Sequence, residues 1–253
     1  MLLAIDVGNT NTVLGVYRGR ELLRHWRLQT EADRTVDEYG VLLHGLFGAA
    51  AMEPRIDGLV LSCVVPPMQR TLEAVSRDYL KIEPTTVGPG IKTGMPILYD
   101  NPKEVGADRI VNAVAAYERT HDTTIVVDFG TATTFDYITA KGEYVGGVIT
   151  PGPGISLEAL YQRAAKLYRV EMAKPPRVVG RNTIHAIQSG IVYGYVAMVD
   201  GLVRRIQDEN GVVARVYATG GFAKLLAPES QTIEEVDEFL TLDGLRILYE
   251  RNR

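Results

Sequence analysis

Two stretches of this chain, LLAIDVGNTNTVLGVY at Leu2 to Tyr17 and TIVVDFGTATTFDYI at Thr124 to Ile138, share one order of parts: an apolar strand, an aspartate, a glycine-threonine turn and a second strand. Laid over one another without a gap, they place Asp6 on Asp128, Gly8 on Gly130 and Thr12 on Thr134, while Thr10 falls on Ala132 and Asn9 on Thr131. A unit that returns after about half the chain implies two related half-molecules. The mismatches at the turn imply that the two hairpins have different duties.

The 253 residues suit two lobes of about 120 residues each, and the repeat sets the expected division at 1–118 and 119–253. With 27 basic and 31 acidic side chains the formal charge is -4, so no broad cationic field is available for nucleic acid and a small-molecule partner is expected. Cys63 is the only cysteine, which excludes an intramolecular disulfide and a cysteine-rich zinc site and points to a reducing, cytoplasmic setting. The amino terminus enters a strand at once, without the pattern of a secretory signal. The apolar run Ile191 to Val199 stops at Asp200, short of the roughly 20 residues that span a bilayer, so no membrane span is expected.

Strands are predicted at Leu2 to Ile5, Val13 to Tyr17 and Leu22 to Leu28, forming a small meander. Helical spacing follows over Thr35 to Ala51, then a buried strand over Leu59 to Val65 that Pro66 and Pro67 end, and a helix near Met68 to Leu80 with Pro67 near its first turn. Glu83 to Pro102, rich in proline and glycine, reads as a long ordered loop, and Lys103 to Arg119 as a helix joining the lobes. The second lobe repeats the meander, with strands from Thr124, over Thr133 to Thr139 and over Tyr144 to Ile149. GGVITPGPG then leads into a helix over Ile155 to Ala165, and Asn182 to Gln207 is the longest helical segment. A strand over Val212 to Ala218 runs into Thr219, Gly220 and Gly221. Alternating strands and helices behind an antiparallel meander give an α/β fold with mixed sheets, and ligands in such sheets gather at strand carboxyl ends, where Asp6, Asp128 and Thr219 all fall.

DVGNTNT combines a carboxylate, Asp6, with a glycine that allows close backbone approach and with the neutral donors Asn9 and Thr10, an inventory that suits phosphate oxygens and a hydrated magnesium ion. An ordinary hairpin turn is the plain alternative, and the second copy weighs against it. DFGTATT offers Asp128 and Thr131 in the same way, while Thr133 or Thr134 also suits a strand as a β-branched residue. There is no GxxxxGK[ST] cradle and no GxGxxG turn, and His25, His44, His121 and His185 lack metal-ligand spacing. GADR at Gly106 to Arg109 sets a carboxylate beside a guanidinium at a helix start. Asp108 is there either a base for a substrate alcohol or half of a solvated ion pair.

DVGNTNTVLG, GADR, DFGTATTFD, GGVITPG and TGG, in this order over essentially the whole chain, resemble the type III pantothenate kinases. That family belongs to the acetate and sugar kinase, heat-shock chaperone and actin superfamily. The resemblance implies duplicated actin-like, ribonuclease H-like lobes around an interlobe cleft. It further implies that ATP phosphates bind along Asp6, Val7, Gly8, Asn9, Thr10, Asn11, Thr12 and Val13, with Asp6 helping to hold Mg2+, and that Thr131, Thr219, Gly220 and Gly221 lie at the nucleotide. Asp128 matches the monovalent-cation carboxylate, for K+ or NH4+. Tyr99, Gly106, Ala107, Asp108, Arg109 and Thr183 match pantothenate-binding positions, with Asp108 as general base. A neighbouring subunit completes the Thr183 pocket in that family, so a homodimer is implied, although Thr183 or Asn182 also serves as a helix cap. A sugar or carboxylate kinase of the same superfamily, and a non-catalytic nucleotide-binding regulator, are the alternatives; GADR and Asp108 speak against them.

Overall fold

The structure, a computed structural model, describes residues 1–51, 55–164 and 167–253. The chain forms two compact units: Met1–Gly94 with Asn101–Ala115 and Thr241–Arg253, and Met95–Asp100 with Ala116–Leu240. Where a single division after residue 118 was expected, the units interleave. The chain passes between them inside a helix, and its last segment returns to the first.

Unit 1 opens with β1 (Leu2–Val7), β2 (Asn11–Arg18) and β3 (Glu21–Gln29), followed by α1 (Val36–Ala49), β4 (Gly58–Cys63), α2 (Pro66–Val75) and a two-residue β5 (Thr85–Thr86). Its sheet runs β3-β2-β1-β4-β5, with the first three strands antiparallel and β4 and β5 parallel to β1. α1 starts at a reciprocal cap: Thr35 Oγ1 accepts from the Glu38 N–H, and Glu38 accepts from the Thr35 N–H at 2.7 Å. α2 carries Pro66 in its first turn and ends in one π-helical turn at Ser76–Leu80. Leu3, Ile5 and Leu61 form one core with Tyr39 and Leu43 of α1 and Met68 of α2. The strand alternation turns Gly15 and Tyr17 to the opposite face.

That face is covered by α7 (Leu240–Arg251), the last helix. A Cβ on Gly15 would come within 2.8 Å of Leu242, and a side chain on Gly58 would overlap the Tyr249 ring. The fully buried Tyr17 donates its hydroxyl to Asp243 at 2.9 Å. α3 (Ala107–Thr120) begins in this unit, and Gly244 of α7 lies so close to the Val111 backbone that no Cβ fits there.

Unit 2 contains β6 (Thr124–Phe129), β7 (Ala132–Ile138), β8 (Tyr144–Pro151), α4 (Pro153–Arg163), α5 (Thr183–Asn210), β9 (Arg215–Thr219), α6 (Ala223–Leu226) and β10 (Glu235–Val236). Ala165, the expected last residue of α4, lies outside the described residues. The sheet order is β10-β9-β6-β7-β8, which is the order of unit 1 strand for strand. The likeness extends to detail. β1 and β6 share one burial pattern, β2 and β7 share another, and the register slips after Val16 in one hairpin and after Tyr137 at the same place in the other.

α5 is long and apolar enough by composition to cross a membrane. Its Val192, Val196, Val199 and Val203 stripe, however, is packed into the core of unit 2 against Ile125, Val127 and Val216. Asp200, the buried charge in that stripe, accepts from Ser230 Oγ at 2.6 Å, the Gln231 N–H at 3.0 Å and Thr232 Oγ1 at 2.8 Å. That face of the helix is spent on the sheet.

Candidate functional site

Asp6 is the last residue but one of β1 and half-buried, and the turn after the strand leaves Asn9 and Thr10 exposed. Gly8 N–H closes the turn on the Asn11 carbonyl at 3.0 Å. Behind the turn stands Thr30, whose hydroxyl donates to the Gly8 carbonyl at 2.7 Å and lies 3.0 Å from Thr12 Oγ1, while its N–H donates to the Thr10 carbonyl. Thr12 is 1% exposed, and its hydroxyl belongs to this brace. Val7 is buried in the core and Val13 is half-buried.

In unit 2 the Gly130 N–H closes on Ala132, one residue sooner than in unit 1. Pairing is Val7 with Thr12 in the first hairpin and Phe129 with Thr133 in the second, so Thr12 corresponds to Thr133 and not, as the ungapped overlay has it, to Thr134. A shorter turn accounts for the shift. Thr133 is buried like Thr12, and the half-buried Thr131 stands at the turn. β9 runs parallel to β6 with Thr219 opposite Asp128, which brings TGG and DFGTATT together. Gly220 has φ +90, and a side chain there would overlap the Asp128 carboxylate. Only glycine meets both demands. Gly221 is exposed beside it.

The strand β8 and the GGVITPG segment complete this corner. Gly152, which caps α4, donates its N–H to the Thr131 carbonyl at 2.9 Å, and a Cβ on it would overlap the carbonyl oxygens of Gly130 and Thr131. Tyr195 of α5 holds the same turn, donating to the Pro151 carbonyl at 2.8 Å and lying 2.6 Å from Ser156 Oγ. The segment Met95–Asp100 is bound to β8 through the Tyr144 N–H to Pro96 and the Leu98 N–H to Tyr144. Tyr99 thereby packs on Gly146, whose φ of +150 and missing side chain leave room for the ring.

GADR lies in unit 1 at the start of α3, where Gly106, Ala107 and Asp108 are half-buried. The Arg109 N–H donates to Asp108 Oδ1 at 2.9 Å, and a Cβ on Gly106 would stand 2.5 Å from that oxygen. Burial pushes the Asp108 carboxyl above the ordinary aspartate range, against the opposing pull of the Arg109 N–H and the Arg109 charge. Arg109 is 7% exposed, which does not match a solvated ion pair. Burial outweighs Arg109, so the carboxylate takes protons more readily than usual.

Thr183 is the first residue of α5, and the cap in front of it is Asn182, whose side chain accepts from the His185 N–H at 2.8 Å. Thr183 is thus relieved of capping. It lines a pocket of about 570 Å³ with Leu160, Leu167, Asn182, Gly190 and Ile191. Thr30, Gly152 and Tyr195 were not singled out from sequence. Of these, only Gly152 sits in a motif that drew attention to it.

A family model described as type III pantothenate kinase matches residues 2–205. Among curated relatives, the type III pantothenate kinase of Myxococcus xanthus is 62% identical, covering 100% of this chain and 99% of its own length. That of Pelobacter propionicus is 61% identical, with 100% of both chains covered. Among solved structures, the ethanolamine utilization protein EutJ from Carboxydothermus hydrogenoformans aligns with a TM-score of 0.58 at 14% identity over 97% of this chain and 89% of that one. (R)-2-hydroxyglutaryl-CoA dehydratase component A from Acidaminococcus fermentans aligns with a TM-score of 0.58 at 16% identity, over 98% and 96%. These structural likenesses are of fold alone, and they agree with two duplicated α/β sheets. The sequence identity reaches further: the chain belongs to the type III pantothenate kinase family.

Proposed function

We propose that this chain transfers the γ-phosphoryl group of ATP to the primary hydroxyl of pantothenate, giving 4'-phosphopantothenate and ADP in the first step of coenzyme A synthesis. Within the family, the observation that carries the chemistry is Asp108: a partly buried carboxylate at a helix start, oriented by the Arg109 N–H and raised in pKa by burial. Asp108 takes the proton of the alcohol as the new O–P bond forms and the bond to the β-phosphate oxygen breaks. Arg109 donates to a substrate oxygen, and Tyr99, Gly106, Ala107 and Thr183 complete the acceptor contacts.

Asp6, the turn to Val13, Thr131 and the Thr219–Gly221 turn hold ATP. Magnesium is retained by one or two carboxylates together with phosphate oxygens and water, and Asp6 offers one such carboxylate. When bound at Asp6, it would offset charge on the phosphates. Asp128, half-buried and fixed against Gly220, suits a monovalent cation, K+ or NH4+, in the same role.

A homodimer is part of this reading. Supporting it, Gly190, Gly194 and Gly201 face open space on α5, Gly190 in the pocket that holds Thr183, and small residues let another helix approach closely. A cytoplasmic setting follows from the metabolic reaction and the lone Cys63.

ATP consumption with pantothenate, with a panel of sugars and with no acceptor, measured in potassium and in sodium, tests the proposal. Turnover with pantothenate alone, and faster in potassium, is expected. Turnover on a sugar in preference, or binding of ATP without acceptor-dependent turnover, would replace the reading, and equal rates in both salts would remove the role given to Asp128.

A further inference from the structure

The duplication pairs one hydroxyl with each acid. In unit 2, Thr219 stands opposite Asp128 across the parallel β6 and β9 ladder. In unit 1, the same position in the parallel β1 and β4 ladder sets Ser62 opposite Asp6. Residues paired across adjacent parallel strands turn their side chains to the same face, and the strands lie about 4.8 Å apart. A serine hydroxyl spans that gap to a neighbouring carboxylate.

Ser62 is 0% exposed, and its hydroxyl has no hydrogen-bond partner among the described residues. Buried hydroxyls are nearly always paired, because leaving one unmet forfeits its hydration without return. The rest of β4, GLVLSC, is apolar apart from this residue and the adjoining cysteine, so packing alone would be served better by alanine or valine. An unmet donor at this position has a ready explanation: its partner is set in place when ligand arrives.

We propose that Ser62 is a positioning residue of the first hairpin, whose hydroxyl donates to the buried Oδ1 of Asp6 when a magnesium nucleotide binds and so fixes the orientation of that carboxylate. Ser62 is to Asp6 what Thr219 is to Asp128. The inference rests on the nucleotide role given to Asp6 above. It also explains why both parallel neighbours set a hydroxyl opposite the acid although the loops that follow, VVPP and GGFA, differ.

Titration calorimetry with MgADP, without acceptor or turnover, tests it on the full chain. Ser62→Ala is expected to weaken MgADP binding about tenfold while the ligand-free thermal midpoint stays at or above the parent value, since no bond is lost from the free protein. A dissociation constant within twofold of the parent overturns the proposal. So does weaker binding accompanied by a lower ligand-free midpoint, because the hydroxyl would then be holding the free fold. Should Ser62→Ala fail to fold, Ser62→Cys keeps the volume with a weak donor and is expected to show the same loss; a folded Ser62→Cys with parental affinity overturns it equally. If the parent itself does not bind MgADP, the nucleotide reading of Asp6 is what fails.

Discussion

Asp108 sits under two opposed demands. A base for an alcohol must accept a proton near working pH, and the burial that raises its pKa also makes its ionised form costly in the folded state. A carboxyl whose folded pKa lies above its unfolded value binds more protons when folded. Its contribution to stability is therefore greatest at low pH and falls as pH rises from the unfolded to the folded pKa. At neutral pH it is a net cost. Asp108→Asn is accordingly expected to do two things at once: lower turnover by about 100-fold or more, as loss of a general base does, and raise the thermal midpoint at pH 7 relative to the parent. In the parent, the acid limb of kcat/KM should lie above the ordinary aspartate range. A variant that loses turnover together with stability would show Asp108 to be a structural cap, and near-parental turnover would end its role as base.

Between residues and the whole molecule lie the two hairpins and what braces them. Gly152 has φ -75, which alanine adopts freely, so Gly152→Ala isolates one effect: the overlap of the new Cβ with two backbone carbonyls at the Thr131 turn. Overpacking of this kind costs about 1–3 kcal/mol, and backbone oxygens cannot swing aside as a side chain can. The Michaelis constant for ATP should rise about tenfold, with that for pantothenate changed less; an equal rise in both would count against a local effect on Thr131. The hairpins themselves were legible, because alternation, an acid and a glycine turn recur in the letters. Their true register was not. Nothing in GTATT tells which threonine the shorter turn buries, and the ladder to β6 decides it. Thr30 was invisible for a related reason: its contacts with Gly8 and Thr10 bring the end of one strand to a turn two strands earlier. Asn182 and Thr183 were both plausible caps by residue type, and the backbone at the helix start chose Asn182.

At the scale of the whole chain, the last segment belongs with the first. Residues 241–253 are grouped with unit 1, although the repeat suggests a simple division and the family model stops at residue 205. Leucines at the right spacing were present in LTLDGLRILYE, but only the sheet tells which body they cover. Leu242, Leu245 and Leu248 are at most 2% exposed, and Gly15, Gly58 and Gly244 lack side chains where the helix lies against its neighbours. Burying one leucine contributes about 1.5–3 kcal/mol, so these three alone account for about 5–9 kcal/mol. A domain's entire stability is about 5–15 kcal/mol. Ending the chain at Leu240 would also uncover Tyr17 and leave its hydroxyl without Asp243. The truncated chain should therefore lose the cooperative unfolding of unit 1 rather than shed a dispensable tail. Urea titration followed by Trp26 fluorescence reads this directly, since Trp26 lies in β3 and packs against Phe47 of the unit 1 core. A sharp transition at the parental midpoint would mean that α1 and α2 hold the sheet without α7.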